Sequence, residues 1–308
     1  MKLNKKTIIA VIIILLFVGI GIGIYLYMQY LDSNKYKLKQ IGYQDNEITE
    51  LLEIKDKKIM DKILNSNYDK NTYNIVKEKY FIFDNYDRYF KYLNANPETS
   101  FNDVISIVNV NRDSDYYTNV VETDTSKDIL MLVNKYNHLS NEYEPDDIEN
   151  ISIKYAYANN SVRKEVNEHF VEMCKAAKEQ GLTLIANSTY RNYEKQESTY
   201  NSYVSKKGQE YADQYAARPG YSEHQTGLTI DIITYNTKGE DFENTDEFKW
   251  LVDNSYKYGF ILRYPKDKEY LTGYSYESWH YRYLGVEMAK KVHDENITYD
   301  EYYAYYLK

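Results

Sequence analysis

The chain has one cysteine in 308 residues, with four prolines, two tryptophans and five histidines. A lone Cys174 excludes an intrachain disulfide and any cysteine-based zinc cluster. Positive charge is also short: 38 Lys and Arg against 47 Asp and Glu leave a net charge of −9. That balance argues against a general nucleic-acid binder, which needs a basic surface to neutralise phosphates. What abounds instead is tyrosine, at 38 residues. Together with Asn, Lys and Ile it reads as the usage of an AT-rich genome and carries no function. The length supplies material for one or two domains.

Long apolar runs are absent, with one exception near the amino terminus. Lys2, Lys5 and Lys6 precede an uncharged stretch from about Ile8 to Tyr27. Some twenty residues at ~1.5 Å each span roughly 30 Å, the thickness of a hydrocarbon core. The stretch is apolar on all faces, which does not suit a core helix. No A-x-A-like cleavage site follows it, so it reads as a membrane anchor rather than a secretory signal peptide. Gly19, Gly21 and Gly23 are tolerated in such a helix. No basic residue follows until Lys35, so the positive-inside rule predicts a cytoplasmic amino terminus and an extracytoplasmic remainder. An exported chain without disulfides fits a bacterium.

The organisation expected is residues 1–28 as cytoplasmic lysines and signal anchor, 29–126 as a spacer or accessory region, and 127–308 as the principal domain. Within 29–126, spacing predicts a helix from Glu47 to Leu64, and Val104–Val110 reads as a strand. The texture changes at Lys127. Asp128–Val133 reads as a strand, and Tyr143–Asp147 as a turn with helix-starting acids. Ser161–Gln180 reads as an amphipathic helix with Cys174 beside its apolar stripe. Further strands are expected at Leu182–Ala186, Leu228–Ile233 and Phe260–Arg263. Helices are expected over Tyr193–Tyr215 with a break near Gly208, over Phe248–Tyr258, and from Gly285. Mixed helices and short strands without a βαβαβ rhythm define an α+β class.

With so few histidines, each can be weighed. His138, His169 and His293 have no metal-competent partner at a recognisable spacing and read as solvated or packed side chains. His224 sits in a loop after a Pro-Gly turn, seven residues before Asp231 on a strand. His280 follows Glu277 by three residues, with Trp279 between. Two imidazoles and one carboxylate make a three-ligand set typical of catalytic zinc, with Glu277 free to take a proton from water. On spacing alone, two loop histidines and a structural ion pair are the competing reading.

Four separated segments then resemble, in order, the motifs of VanY-type D-alanyl-D-alanine carboxypeptidases. They are Ser188-Thr-Tyr-Arg191 with Gln196, Ser222 to Asp231, Gly259 to Pro265, and Glu277-Ser-Trp-His-Tyr-Arg282. These enzymes are zinc peptidases of the LAS group, named for lysostaphin, D-Ala-D-Ala metallopeptidases and sonic hedgehog. The likeness covers about residues 127–290. It departs from the family at Thr229, where Ala is usual, and at Ser278, where Pro is common; neither is a proposed ligand. The resemblance implies a small, mostly antiparallel sheet flanked by helices. It implies one Zn²⁺ held by His224, Asp231 and His280, with Glu277 as general base and acid. Arg191 is implied to hold substrate and stabilise developing charge, and Tyr190, Gln196 and Ser222 to line the cleft. Trp279 is either packing beside the metal or a substrate contact. The implied substrate is a peptidoglycan stem peptide ending in D-Ala-D-Ala. A wall endopeptidase of the L-alanyl-D-glutamate type and a non-catalytic peptide-binding module remain the alternatives.

Overall fold

The computed structural model describes residues 5–237 and 239–308; Lys2 lies outside them. The first helix, α1 (Lys5–Asp32), contains an apolar stretch, Ile13–Asp32, of mean hydropathy 1.9, none of it buried. The chain divides into two compact units between Ile105 and Ser106, ahead of the change in texture at Lys127.

After α1, the first unit is built from short helices: α2 (Asn34–Ile41), α3 (Asp45–Leu51), α4 (Lys57–Leu64), α5 (Lys70–Val76) and α6 (Tyr86–Ala95). Leu38, Ile48, Leu51, Ile63 and Tyr73 form its core. The helix expected over Glu47–Leu64 is two helices. Asp56 accepts from the Lys58 amide at 2.8 Å and so starts α4 afresh, as N-cap carboxylates do. Of Val104–Val110, all but Val110 lies in α7 (Phe101–Asn109) rather than in a strand, and Val110 is in the turn that follows. Ser100 caps that helix, accepting from the Asp103 amide at 3.1 Å. Val104, Ile105, Ile107 and Val108 then share its buried stripe; β-branched residues misled the sequence reading because packing overrides propensity.

The second unit carries the sheet. Two small pairs precede it: β1 (Val121–Glu122) with β2 (Asn137–His138), and β3 (Ile148–Asn150) with β4 (Ser161–Arg163). Asp128–Val133 is a 3-10 turn (Thr125–Leu130) running into extended chain, not a strand, because Asp124 caps the turn through the Ser126 amide. The turn after Tyr143 leads into β3 rather than into a helix. The main sheet has the order β5-β6-β8-β7 and is antiparallel throughout: β5 (Ile185–Ser188), β6 (Thr229–Ile233), β7 (Phe260–Leu262), β8 (His280–Tyr283).

Helix α8 (Lys164–Glu179) buries Val166, Phe170, Met173 and Ala177 in one cluster with Ala186, Ile230, Ile232 and Tyr281 of the sheet. Cys174 is buried there too, and burial pushes its thiol up. Gly208, at φ 87° and ψ 163°, separates α9 (Tyr193–Lys207) from α10 (Gln209–Tyr215). That backbone conformation is essentially reserved for glycine. Helices α11 (Asp246–Asn254) and α12 (Glu269–Thr272) follow. α13 (Val286–Glu295) and α14 (Tyr299–Tyr306) bury Ala289, Val292, Tyr299 and Tyr302 with Leu132, Ile261 and Leu284. The α+β class and the antiparallel sheet agree with the sequence.

Candidate metal centre and cleft

Strand pairing brings the first two site residues together. Asp231 of β6 and His280 of β8 are register partners, so their side chains share one sheet face. Their neighbours Ile230 and Tyr281 point into the core. Asp231 Oδ1 lies 3.3 Å from His280 Nδ1 and 3.5 Å from His224 Nε2.

His224 comes from a 3-10 turn, Glu223–Thr226, closed by Gly227 at φ 68°. A Cβ at Gly227 would meet Ile148 Cδ1 at 2.6 Å and Arg163 Cγ at 2.9 Å, so glycine is required by both backbone and space. The imidazole is fixed by its other nitrogen, which donates to the Thr189 carbonyl at 2.6 Å. A carbonyl can only accept, so Nδ1 carries the proton and the Nε2 lone pair faces Asp231. The Arg191 amide donates to the His224 carbonyl at 3.1 Å, tying the end of β5 to the same turn.

The donor atoms of His224, Asp231 and His280 lie within 4.8 Å of one another. Zinc bonds of ~2.0–2.1 Å in a tetrahedron separate ligand atoms by roughly 3.3–3.5 Å, the spacing that Asp231 keeps from each imidazole. Asp231 Oδ1 is buried without a hydrogen-bond partner. These residues therefore fit a divalent metal.

The electrostatics run the same way. Burial and the Arg191 guanidinium push His224 down to about 4, which keeps it neutral. Burial also opposes protonation of His280, but the Asp231, Glu223 and Glu277 carboxylates around it hold it well above the usual range. Burial favours a neutral Asp231, yet the hydrogen bond and charge of the His280 imidazolium hold it below the carboxylate range. Three carboxylates around one imidazole make a site that asks for positive charge. Glu277 Oε2 lies 3.3 Å from His280 Nδ1. Burial raises its carboxyl, the His280 contact offsetting part of the effect.

Beneath the site is a buried ion cluster that sequence reading did not single out. Arg263 Nε and Arg282 Nη1 donate to Glu223 Oε1 at 2.8 and 2.9 Å, and Arg263 Nη1 donates to Asp300 Oδ2 at 2.6 Å. Both arginines are fully buried. Arg282 Nη2 also donates to the Ile129 and Met131 carbonyls. Glu223 Oε2 lies 3.6 Å from His280 Nε2 and so backs the imidazole on its outer side. Three of the four motif segments carry a member of this cluster, Glu223, Arg263 or Arg282, with no role until the fold buries it, and Asp300 lies outside them all.

A cleft of about 130 Å³ opens over the ligand set. Arg191, Gln196, Ser222 and Glu277 line it, as does Trp279, which also packs on the core. Tyr264 and Tyr274 add walls that the sequence had not indicated. The Arg191 Nε is buried without a partner, and Gln196 Nε2 donates to the Ala217 carbonyl at 2.7 Å. Tyr190 is not among the lining residues; burial, and then the charges of Glu144 and Glu194, push its phenol up. The other histidines lie on aromatic rings: His138 on Tyr221, His169 on Tyr283, His293 on Tyr256.

Residues 159–286 match the family described as VanY, D-alanyl-D-alanine carboxypeptidase. YodJ of Bacillus subtilis is 39% identical over 204 residues, covering 62% of this chain and 75% of that protein. The D-alanyl-D-alanine carboxypeptidase of Enterococcus faecium is 35% identical over 195 residues, covering 60% of this chain and 61% of that protein. A solved structure of the LdcB LD-carboxypeptidase aligns with TM-score 0.57 and 39% identity, covering 61% of this chain and 91% of LdcB. The chain thus belongs to the VanY D-alanyl-D-alanine carboxypeptidase family, and its chemistry is that of a peptide hydrolase of the carboxypeptidase class.

Proposed function

We propose that this chain is a membrane-anchored, zinc-dependent D-alanyl-D-alanine carboxypeptidase that removes the terminal D-Ala from peptidoglycan stem peptides. The observation that carries the reading is the convergence of His224 Nε2, Asp231 Oδ1 and His280 Nδ1 beside a buried Glu277. These three atoms would hold Zn²⁺. When bound, such an ion polarises the scissile carbonyl and lowers the pKa of a water ligand towards about 7.

Glu277 accepts the proton of the attacking water and passes it to the departing amine. Its burial raises the carboxyl, bringing it nearer the working pH. Arg191 is partly buried and always charged; it stabilises the oxyanion or anchors the free carboxylate that defines a carboxypeptidase substrate. Ser222 and Gln196 line the adjoining wall. Helix α1, long and apolar with none of its stretch buried, would hold the domain on the side of the membrane where wall precursors are displayed.

The likeness to LdcB favours one second reading, in which the cut falls after an L- rather than a D-residue. Incubation with stem pentapeptides and tetrapeptides separates the two. Loss of D-Ala from the pentapeptide alone supports the D,D activity. Loss from the tetrapeptide alone supports the L,D activity.

A further inference from the structure

The ion cluster under the metal centre reaches beyond residue 286, where the family match ends. Thr298 and Glu301 form a capping box: the Glu301 amide donates to Thr298 Oγ1 at 3.2 Å, and the Thr298 amide to Glu301 Oε2 at 2.8 Å. That box fixes the start of α14 and sets Asp300, 3% exposed, in its first turn. Asp300 Oδ1 accepts from Asn134 Nδ2 at 2.8 Å, and its Oδ2 accepts from Arg263. The ring centroid of Tyr299, the residue before it, lies 5.6 and 5.2 Å from the guanidinium carbons of Arg263 and Arg282.

Glu223 meets both arginines at one oxygen, Oε1. Its Oε2 and the His280 Nε2 that it faces at 3.6 Å are each buried without a hydrogen-bond partner. His280 turns Nδ1 towards Asp231, so a ring that ligates there carries its proton on Nε2, opposite Oε2. What keeps Oε2 free for that proton is the way Arg263 is held. A guanidinium and a carboxylate left to themselves pair through two parallel bonds, as Arg218 Nε and Nη2 do with Asp213. Arg263 offers Glu223 its Nε alone, with Nη1 tied to Asp300 and Nη2 buried without a partner. Without the Asp300 charge, that Nη2 can close the fork on Oε2 and draw it off the imidazole.

We infer that Asp300 is a positioning residue of the metal centre: through Arg263 it holds Glu223 so that Oε2 accepts the Nε2 proton of the ligating His280. The C-terminal helix is thereby part of the outer support of the metal site. The inference rests on the metal-centre reading above and adds to it a determinant of metal affinity that touches neither metal nor substrate.

The test measures the zinc Kd of the full chain in detergent by competition with a chromophoric chelator. Asp300→Asn keeps the shape and removes the charge, and should raise Kd by about tenfold, the lower end of what outer partners of ligating histidines contribute. Glu223→Gln should raise Kd at least as far. Asp300→Asn added to it should change Kd by less than about twofold, because both act at one contact. The visible absorption of the cobalt-loaded chain should shift in Asp300→Asn, a change that a general loss of stability does not produce. Asp213→Asn, which breaks the Arg218 pair, should move neither Kd nor that spectrum. If Asp300→Asn fails to fold, proton NMR of the zinc-loaded parent with isotope-labelled histidine reads the same contact. The His280 ring proton should then sit on Nε2 as a downfield, slowly exchanging resonance, and a fast-exchanging proton there overturns the inference. A parent that binds no zinc overturns the metal-centre reading and the inference with it. A parent that binds zinc, with Kd unchanged in Asp300→Asn, overturns the inference alone.

Discussion

Chemistry at the level of single side chains turns on what each is asked to do beside a metal. Glu277→Gln removes the proton acceptor while keeping shape, so metal content should hold and kcat fall by about 10²–10⁴; unchanged kcat would remove Glu277 as the base. His280→Ala opens the ligand set, so the metal measured per chain should drop, whereas Arg191→Ala should keep the metal and lose turnover or affinity. Outside the centre, Asp213 supplies a pH signature. Burial favours its neutral form, but hydrogen bonds from Arg218 and Tyr200 and the charges of Arg218 and Lys135 hold its carboxyl below the usual range. A depressed carboxyl contributes stability above its unfolded value of about 3.9, and that stability is lost as pH falls through the folded value. The Tm of the parent should therefore fall more steeply in acid than that of Asp213→Asn. Parallel acid limbs would show that Asp213 contributes nothing there.

At the scale of elements, the site is a product of strand register and one turn. Asp231 and His280 meet because β6 and β8 pair where they do, and His224 reaches them from a turn that only Gly227 can close. The spacings of His224 to Asp231 and of Glu277 to His280 were visible in the sequence, but it was the resemblance to VanY-type motifs, not spacing, that chose a metal centre over two loop histidines and an ion pair. The charged cluster of Glu223, Arg263, Arg282 and Asp300 was not legible there. Its members lie far apart in the chain and become partners only when the fold buries them. Val104–Val110 failed for the opposite reason, since an apolar run cannot by itself distinguish a buried helix from a strand. The departure at Thr229 yields a stability test. Its hydroxyl is buried without a partner, so Thr229→Val, which keeps the shape, should raise stability by about 1 kcal/mol in denaturant melts. A loss of stability would mean that the hydroxyl is satisfied.

For the whole molecule, an apolar helix with none of its stretch buried sets the expected cell fraction. The full chain should sediment with membranes and need detergent for release, and removal of residues 5–32 should free it. Release of the full chain by salt alone would contradict an anchor. On the proposed reading, a hydrolase held there by α1 would meet its substrate where wall peptides are displayed. The central claim is tested most directly by incubating the zinc-loaded full chain in detergent with a stem pentapeptide ending in D-Ala-D-Ala. The products are weighed by mass spectrometry, with and without a chelator. Loss of a single alanine, abolished by the chelator and restored by zinc, is the predicted result. A cut inside the stem, or bound peptide left whole with zinc in place, would contradict it.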